Sequence, residues 1–206
     1  MPLLIYQSNS SNTGRLLVWK AYESIPELEA MVKFSSELDK QYRSLHLEKR
    51  KREWLVTRIL LQLVAPDMQL KFAPSGKPYL EGNLHISISH CGELAGLLIA
   101  EHNVGLDIQG VDEKLEKISK KFCNEKELKA VASERQPLEL LTVIWSAKEA
   151  IFKYFGEQVH FAKDIRVRPF HLVQGIIKAE YSGVHGKQTF ELEHVSLRGY
   201  HIVMTL

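Results

Sequence analysis

The sequence predicts an α+β fold made of two similar halves, residues 1–101 and 102–206. The chain of 206 residues is 45% hydrophobic, which suffices for one large domain or for two small, tightly joined halves. Stretches with helical periodicity and stretches with strand alternation occur in both halves. A faint internal repeat aligns residues 54–61 with residues 145–152. It is consistent with two related units packed face to face.

The first half begins with two predicted helices, residues 27–46 and 48–64. Pro66 follows the end of the second helix, which has five apolar residues at helical spacing. They are Trp54, Leu55, Ile59, Leu60 and Leu63. A turn-rich loop, Pro74-Ser75-Gly76-Lys77-Pro78, comes next.

Three strands are predicted across the junction of the halves, at 84–89, 94–100 and 104–109. The first alternates apolar and polar residues, as a strand with one buried face does. The breaks between the strands are short, so their spacing predicts an antiparallel meander.

The second half is predicted to contain a helix over 113–133 and a second helix that starts at Pro137 and ends at Gly156. In the second helix Trp145, Glu149 and Lys153 are four residues apart and face away from the apolar stripe. That stripe is Leu140, Ile144, Ala147, Ile151 and Phe155. Four further strands are predicted at 164–168, 174–181, 187–194 and 196–205.

Composition argues against several classes of protein. A net charge of +2 is too mild for a dedicated nucleic-acid binder, and the basic run 49–52 is typical of a solvated helix face. The two cysteines form no CxxC, the nine histidines form no H-x-x-x-H, and the common nucleotide-binding loops are absent. No run approaches ~18 apolar residues, so we expect a cytoplasmic protein without a membrane span.

Two stretches carry the most chemical information. Trp145–Lys153 contains the carboxylate Glu149 and two lysines, and Val104–Ile108 adds Asp107 behind a glycine. Two carboxylates with lysines nearby can hold a divalent metal and a phosphate chain together. The sequence therefore points to phosphate chemistry.

Each of these residues also has a plainer interpretation. Asp107 fits an edge strand beside a turn, and Glu149 with Lys153 has the spacing of a surface ion pair worth about 0.3–0.5 kcal/mol. His90 could be satisfied by loop carbonyls, and Lys77 could be an ordinary turn lysine. Trp145 argues against an exposed pair, because a tryptophan on that face needs cover.

Four short motifs occur in a fixed order. They are Gly76-Lys77-Pro78, Ile88-Ser89-His90-Cys91-Gly92, Gly105-Leu106-Asp107 and Trp145-Ser146-Ala147-Lys148-Glu149-Ala150-Ile151-Phe152-Lys153. This series resembles the signature of the 4′-phosphopantetheinyl transferases, of the longer type that activates peptide synthetases. The family reads roughly G-K-P, S-H-S/C-G, G-(I/V)-D-(I/V)-E and W-(S/T)-x-K-E-(A/S)-x-x-K. The resemblance covers about residues 48 to 153.

The resemblance implies halves related by a pseudo-twofold axis, with coenzyme A in the cleft between them. It also implies Mg²⁺ held by Asp107 and Glu149, with Gln109 at a third position. Several side chains would bind coenzyme A, around its pyrophosphate or toward its adenosine and 3′-phosphate. They are Lys77, Ser89, His90, Lys148, Lys153, Arg52 and Arg58.

The implied reaction moves phosphopantetheine from coenzyme A to a serine of an acyl or peptidyl carrier protein and releases 3′,5′-ADP. Asp107, Glu149 and Lys153 would be catalytic, with Glu149 as the general base, directly or through a metal-bound water. A cation and a metal beside Glu149 should keep it ionised. Glu127, in a stretch that resembles F-(S/T)-x-x-E-L, is a candidate for a supporting role.

One residue departs from the family pattern, which commonly has an acid where this chain has Gln109. A glutamine adds no negative charge, so we expect two carboxylate ligands and weaker Mg²⁺ affinity. A weakened module that binds coenzyme A or a carrier protein stays open as an alternative, and the basic run 49–52 leaves nucleic-acid binding as a third. The favoured reading has no nucleic-acid or membrane partner and is a monomer, while the carrier could belong to fatty-acid, polyketide or peptide synthesis.

Overall fold

The computed structural model describes residues 4–10 and 14–206, with side chains from residue 14 onward. Residues 1–3 and 11–13 of the predicted first half lie outside the described residues. The described chain is a mixed α+β fold. Its helices are α1 (Ile25–Met31), α2 (Ser36–Arg43), α3 (Glu48–Val64), α4 (Lys114–Phe122), α5 (Glu125–Ser133), α6 (Pro137–Phe155) and α7 (Phe161–Asp164). Its strands are β1 (Leu4–Ser10), β2 (Gly14–Lys20), β3 (Leu70–Phe72), β4 (Pro78–Leu80), β5 (His85–Cys91), β6 (Leu94–Ala100), β7 (Leu106–Gly110), β8 (Ile165–Val167), β9 (Ile176–Gly183), β10 (Gly186–Leu197) and β11 (Tyr200–Thr205).

Two antiparallel sheets organise these elements. The first has the strand order β1-β2-β6-β5 and the second has the order β7-β11-β10-β9-β8. Strands β3 and β4 form a separate hairpin. Among the described strands, the first sheet uses only strands that end before residue 101, and the second uses only strands that begin after it.

Three apolar clusters hold the layers together. Helix α3 covers one face of the first sheet, α6 covers one face of the second, and the two remaining faces pack against each other. Leu16 and Leu98 at this last contact are fully buried, and a buried leucine stabilises the fold by roughly 1.5–3 kcal/mol. Gly96 makes the contact close, because a Cβ there would lie 2.6 Å from Ile108 Cδ1.

Two of the predicted helices are confirmed and two are divided. The predictions for 48–64 and for the Pro137 helix match α3 and α6. The helices predicted at 27–46 and 113–133 each break, because Ser35 and Asn124 cap a new helix with their side chains. None of the helices in the described ranges is long and apolar enough to cross a membrane.

The predicted meander is wrong at its third strand. Strands β5 and β6 pair as expected, but β7 pairs with β11 and begins the second sheet. The chain crosses from one sheet to the other between Ala100 and Leu106, and strand spacing alone does not reveal such a crossing. The later strands lie within a few residues of their predicted positions.

A chain of polar side chains, buried except at Glu139, anchors the start of α6 to the second sheet. Glu139 in the first turn pairs with Nε2 of His201, whose Nδ1 lies 3.0 Å from Nε2 of His194. Burial lowers the pKa of His194, so this imidazole is neutral at neutral pH. The N-terminal end of α6 is therefore fixed without a buried cation at His194.

Candidate active site

Helix α6 carries most of the predicted site residues. It begins at Pro137, and Gly156 ends it in the left-handed region with φ of 94°, which suits glycine. Trp145 packs against Phe122 and Phe161 at ring-centroid distances of 4.9 and 5.5 Å. This confirms that the face bearing the tryptophan is covered, and the cover comes from helices of the second half.

Gly105 lets α6 lie directly against β7. A Cβ at this position would be 1.8 Å from the Ala150 carbonyl oxygen and 3.0 Å from the Tyr154 nitrogen. The glycine beside the carboxylate therefore makes room for a backbone. Because β7 carries Asp107 and α6 carries Glu149, this approach places the two carboxylates close enough to repel each other.

Asp107 is almost fully buried, with 5% of its surface exposed. Its Oδ1 accepts hydrogen bonds from Lys153 Nζ at 2.8 Å and from Ser89 Oγ at 3.1 Å. Its Oδ2 is buried and has no hydrogen-bond partner in the described structure. An unsatisfied carboxylate oxygen is costly to bury, so this atom is suited to receive a cation.

Glu149 lies beside this pair, and its carboxyl is pushed toward the neutral form. Burial is the main cause, and the charge of Asp107 adds to it, while Lys153 opposes both; together they raise the pKa of Glu149 to about 7. Without a metal, Glu149 is therefore only partly ionised at neutral pH, and its full ionisation beside both Lys153 and a metal stays a prediction. A cation bound beside Glu149 would lower its pKa again and favour the ionised carboxylate.

The residues present fit a magnesium ion that keeps some of its water. Mg²⁺ prefers oxygen ligands and is commonly bound through one or two carboxylates, which Asp107 and Glu149 supply. Within residues 14–206, no group of three or more histidine, cysteine or acidic side chains could hold a metal ion. At a site of two carboxylates, the remaining positions around the ion would be taken by water or substrate.

A cavity of about 440 Å³ opens beside these residues. It lies between α3, the β3–β4 hairpin, β5 and the end of α6, so both sides of the predicted junction contribute to it. Its lining includes four of the predicted ligand-binding side chains. They are Arg58, Lys77, His90 and Lys153.

Lys77 and His90 each have a hydrogen-bond partner within the protein. Lys77 Nζ donates to the Tyr154 carbonyl oxygen, and its aliphatic stem packs where any side chain at Gly156 would stand. Nε2 of His90 lies 2.9 Å from Thr57 Oγ1. Burial lowers the pKa of both groups, and for His90 the nearby Lys153 adds to this. Bringing a phosphate group into the cavity would favour their charged forms.

Arg58 is the most deeply buried cation of the cavity, with 4% exposed. Its guanidinium stacks over the ring of Trp54 at 4.8 Å, donates to Gln41 at 3.3 Å, and leaves its Nε without a partner. Burial lowers the pKa of Arg58 to about 10, so it stays charged at neutral pH. A buried, incompletely paired guanidinium is well suited to bind phosphate.

Lys148 lies away from the cavity, which corrects the prediction that it binds the phosphate chain. It is fully buried, and its Nζ donates to Glu127 and to the carbonyl oxygens of Phe122, Phe161 and Ile165. All its donors are used, so none remains for a ligand. The supporting role considered for Glu127 is thus a structural one in this ion pair.

Arg52 is also away from the cavity, and Arg50 takes the expected place. Arg52 donates to the Glu23 carbonyl oxygen, whereas Arg50 lines the cavity and pairs with Glu53 at 2.9 Å. Arg50 was not among the predicted site residues. Its helical spacing from Trp54 and Arg58 was the available signal, because residues four apart share a face.

Ser89 and Gln109 have partners within the protein. The Ser89 hydroxyl contacts Asp107 and Lys153, so it supports the site from behind the cavity. The side-chain nitrogen of Gln109 donates to the Gly110 carbonyl oxygen at 3.1 Å. The role of Gln109 as a third metal position stays a prediction.

Comparison with known proteins agrees with the motifs. Residues 103–204 match the 4′-phosphopantetheinyl transferase superfamily. These residues, from β7 to β11, belong to this superfamily. Over 113 residues it is 29% identical to the 4′-phosphopantetheinyl transferase gsp of Aneurinibacillus migulanus, covering 52% of this chain and 48% of that protein. The chain thus spans about half the length of the curated relative it matches.

Replacing Gly105 should uncouple α6 from β7 in this transferase-family fold. We expect Gly105→Ala to lower the free energy of unfolding by about 3 kcal/mol or more, because the new Cβ meets backbone that cannot move aside. Urea unfolding measures the change. Gly110→Ala on the same strand is the control, since its nearest contact is an ordinary 3.5 Å. Equal stability of the two variants would contradict the proposed close packing.

Removing the charge of Glu149 should stabilise the metal-free protein at high pH. Because the folded pKa of about 7 lies above the ordinary 4.5, the ionised carboxyl costs stability above pH 7. We expect Glu149→Gln to raise the free energy of unfolding by roughly 2–3 kcal/mol at pH 8. The gain should shrink as the pH falls from about 7 toward 4.5.

The measurement is urea unfolding with a chelator present, at pH 8 and pH 5. Glu157→Gln, at an exposed position just after α6, is the matched control and should show no comparable gain. Other titrating groups, including His194, affect native protein and variants alike and cancel in the difference. A gain at pH 5 as large as that at pH 8 would contradict the pKa assigned to Glu149.

Proposed function

We propose that this protein transfers 4′-phosphopantetheine from coenzyme A to a serine of an acyl or peptidyl carrier protein, releasing 3′,5′-ADP. The observation that carries the proposal is the meeting of Asp107, Glu149 and Lys153 at the edge of a cavity with basic walls. Membership of the superfamily supports the class of reaction. The holo-acyl-carrier-protein synthase activity is part of this proposal.

The cavity suits the phosphate groups of coenzyme A. Lys153 and Lys77 would bind the pyrophosphate near the carboxylates, with His90 beside them. Arg50 and Arg58 lie on the α3 side, where they would face the 3′-phosphate and the adenosine. Cations placed in a partly buried cleft hold phosphate more strongly than cations in open water.

In the proposed step the serine oxygen forms a bond to the β-phosphorus of coenzyme A. The bond from that phosphorus to the bridging oxygen breaks, and 3′,5′-ADP leaves with the electron pair. Glu149 would act as the general base that takes the serine proton. Lys153 would stabilise the charge that develops on the phosphate oxygens.

Asp107 Oδ2 and the Glu149 carboxylate are the atoms proposed to hold Mg²⁺. Bound there, the ion would neutralise charge on the pyrophosphate oxygens. Gln109 contributes no charge, which supports the expectation of weaker Mg²⁺ affinity. Changing Gln109→Glu in metal-binding assays addresses that expectation directly.

The arrangement of the chain supports the rest of the proposal. A fold of two halves, 1–101 and 102–206, related by a pseudo-twofold axis would place the substrate cleft within one chain. The protein would then be active as a monomer, and its proposed location is the cytoplasm. Helix α4 follows the strand that carries Asp107 and exposes a row of lysines. They are Lys114, Lys117, Lys120 and Lys121. Such a surface would attract an acidic carrier protein.

The test is intact-mass spectrometry of apo carrier proteins incubated with this protein, coenzyme A and Mg²⁺. We expect a gain of about 340 Da, the mass of the phosphopantetheine arm, with the native protein. Glu149→Ala should slow transfer by about 100-fold or more, as loss of a general base and metal ligand does. Glu157→Ala is the matched control and should transfer at the native rate.

Failure of the native protein across acyl and peptidyl carriers would overturn the transferase proposal. Retained binding of coenzyme A in that case would instead support the weakened binding module, for which Gln109 is the specific observation. Weak retention on heparin at physiological salt is expected under both, and strong retention would favour nucleic-acid binding through residues 49–52.

Arg50 and Arg52 form a matched pair for the geometry of the cavity. We expect Arg50→Ala to raise KM for coenzyme A about tenfold with little change in kcat, because it removes a charged contact made in ground and transition states alike. Arg52→Ala should change KM less than about twofold, since this side chain binds the Glu23 carbonyl. Steady-state kinetics of the two variants with coenzyme A measure both KM values. An effect of Arg52→Ala as large as that of Arg50→Ala would contradict the assignment.

A further inference from the structure

Strands β5 and β7 are edge strands of different sheets that meet through side chains. The free edge of β7 presents three backbone N–H groups to three alternating side chains of β5. Leu106 N–H donates to Ser87 Oγ at 2.9 Å, Ile108 N–H donates to Ser89 Oγ at 3.0 Å, and Gly110 N–H donates to Cys91 Sγ at 3.2 Å. We call this set the side-chain ladder. It satisfies buried donors that would otherwise have no partner.

The middle rung of the side-chain ladder has additional contacts. The Ser89 hydroxyl also donates to Asp107 Oδ1 at 3.1 Å and accepts from Lys153 Nζ at 3.0 Å. A hydroxyl has one hydrogen and two lone pairs, so these contacts with the Ile108 N–H use its full capacity. The hydroxyl is therefore not free to bind a ligand, although the sequence placed Ser89 among the coenzyme A contacts.

The contacts of Ser89 determine which oxygen of Asp107 is available. Oδ1 is held by Ser89 and Lys153 together, while Oδ2 is buried without a partner. A carboxylate held at one oxygen by two donors cannot rotate freely. Residues that orient metal ligands in this way commonly affect metal affinity by 10–100-fold.

We propose that Ser89 is a positioning residue, which holds Asp107 so that Oδ2 is left for a divalent cation. The inference deepens the proposed function and rests on its metal site. Ser87 offers an internal comparison, because it makes the same bond to the backbone of β7 but has no contact with Asp107 in the described structure.

The experiment measures binding of Mn²⁺ alone to the full chain by electron paramagnetic resonance, with thermal unfolding in parallel. We expect Ser87→Ala and Ser89→Ala to lower the melting temperature by similar amounts, since each removes one rung. Only Ser89→Ala should weaken Mn²⁺ binding, by tenfold or more. Equal Mn²⁺ affinity in the two variants would overturn the proposal.

A second variant keeps the proposal testable if Ser89→Ala does not fold. Ser89→Cys retains an acceptor for the Ile108 N–H, as Cys91 does for Gly110, but a thiol donates weakly to a carboxylate. We expect near-native melting with Mn²⁺ affinity lowered at least fivefold. Native Mn²⁺ affinity in Ser89→Cys would contradict the positioning role.

The Mn²⁺-binding experiment tests the role of Ser89 independently of the proposed transferase activity. An active native enzyme with equal Mn²⁺ affinity in the Ser87 and Ser89 variants overturns the inference and leaves the transferase standing. An inactive native protein whose Mn²⁺ binding falls only in the Ser89 variants supports the inference and removes the transferase. Absence of Mn²⁺ binding in the native protein, with or without coenzyme A, overturns the inference, while the carrier assay still decides the function.

Discussion

The arrangement of the site depends on the Lys153 ammonium and its two partners, Asp107 and Ser89. These contacts join α6 to β7 and β5, and so join the second sheet to the edge of the first. Lys153 also lines the cavity, where the same charge can meet a phosphate. One side chain thus links the junction of the sheets to the proposed chemistry. If α6 were displaced, the atoms proposed to bind the metal, the basic wall of the cavity and the junction of the sheets would be lost together.

The surrounding structure stabilises an arrangement that is locally unfavourable. A buried carboxylate with an unpartnered oxygen, Asp107, lies close to a partly buried carboxyl with a raised pKa, Glu149. The buried pair of Lys148 and Glu127 ties α6 to α5 and to the ends of α4, α7 and the strand β8, and Gly105 lets the helix reach β7. Such packing can hold unsatisfied polar groups in place, as functional sites commonly require.

Local signals in the sequence predicted α6 closely, because proline and glycine mark its two ends. The breaks at Ser35 and Asn124 were not predicted, although both residues are of the types that commonly cap the start of a new helix, as they do for α2 and α5. The sequence motif does not distinguish Lys148 from Lys153. Only tertiary packing shows that Lys148 faces Glu127 and that Lys153 faces the cavity. The partner of β7 depends on a crossing between sheets, which no local pattern records. Arg50, by contrast, could have been found from helical periodicity alone.

The most direct test of the central claim is a crystal structure of the protein with coenzyme A and Mn²⁺, read at the manganese anomalous edge. The account predicts one strong anomalous peak in contact with Asp107 Oδ2 and the Glu149 carboxylate, with the coenzyme A pyrophosphate between that peak and Lys153. A peak bound elsewhere, or coenzyme A bound in the cavity with no metal at these two carboxylates, would contradict it.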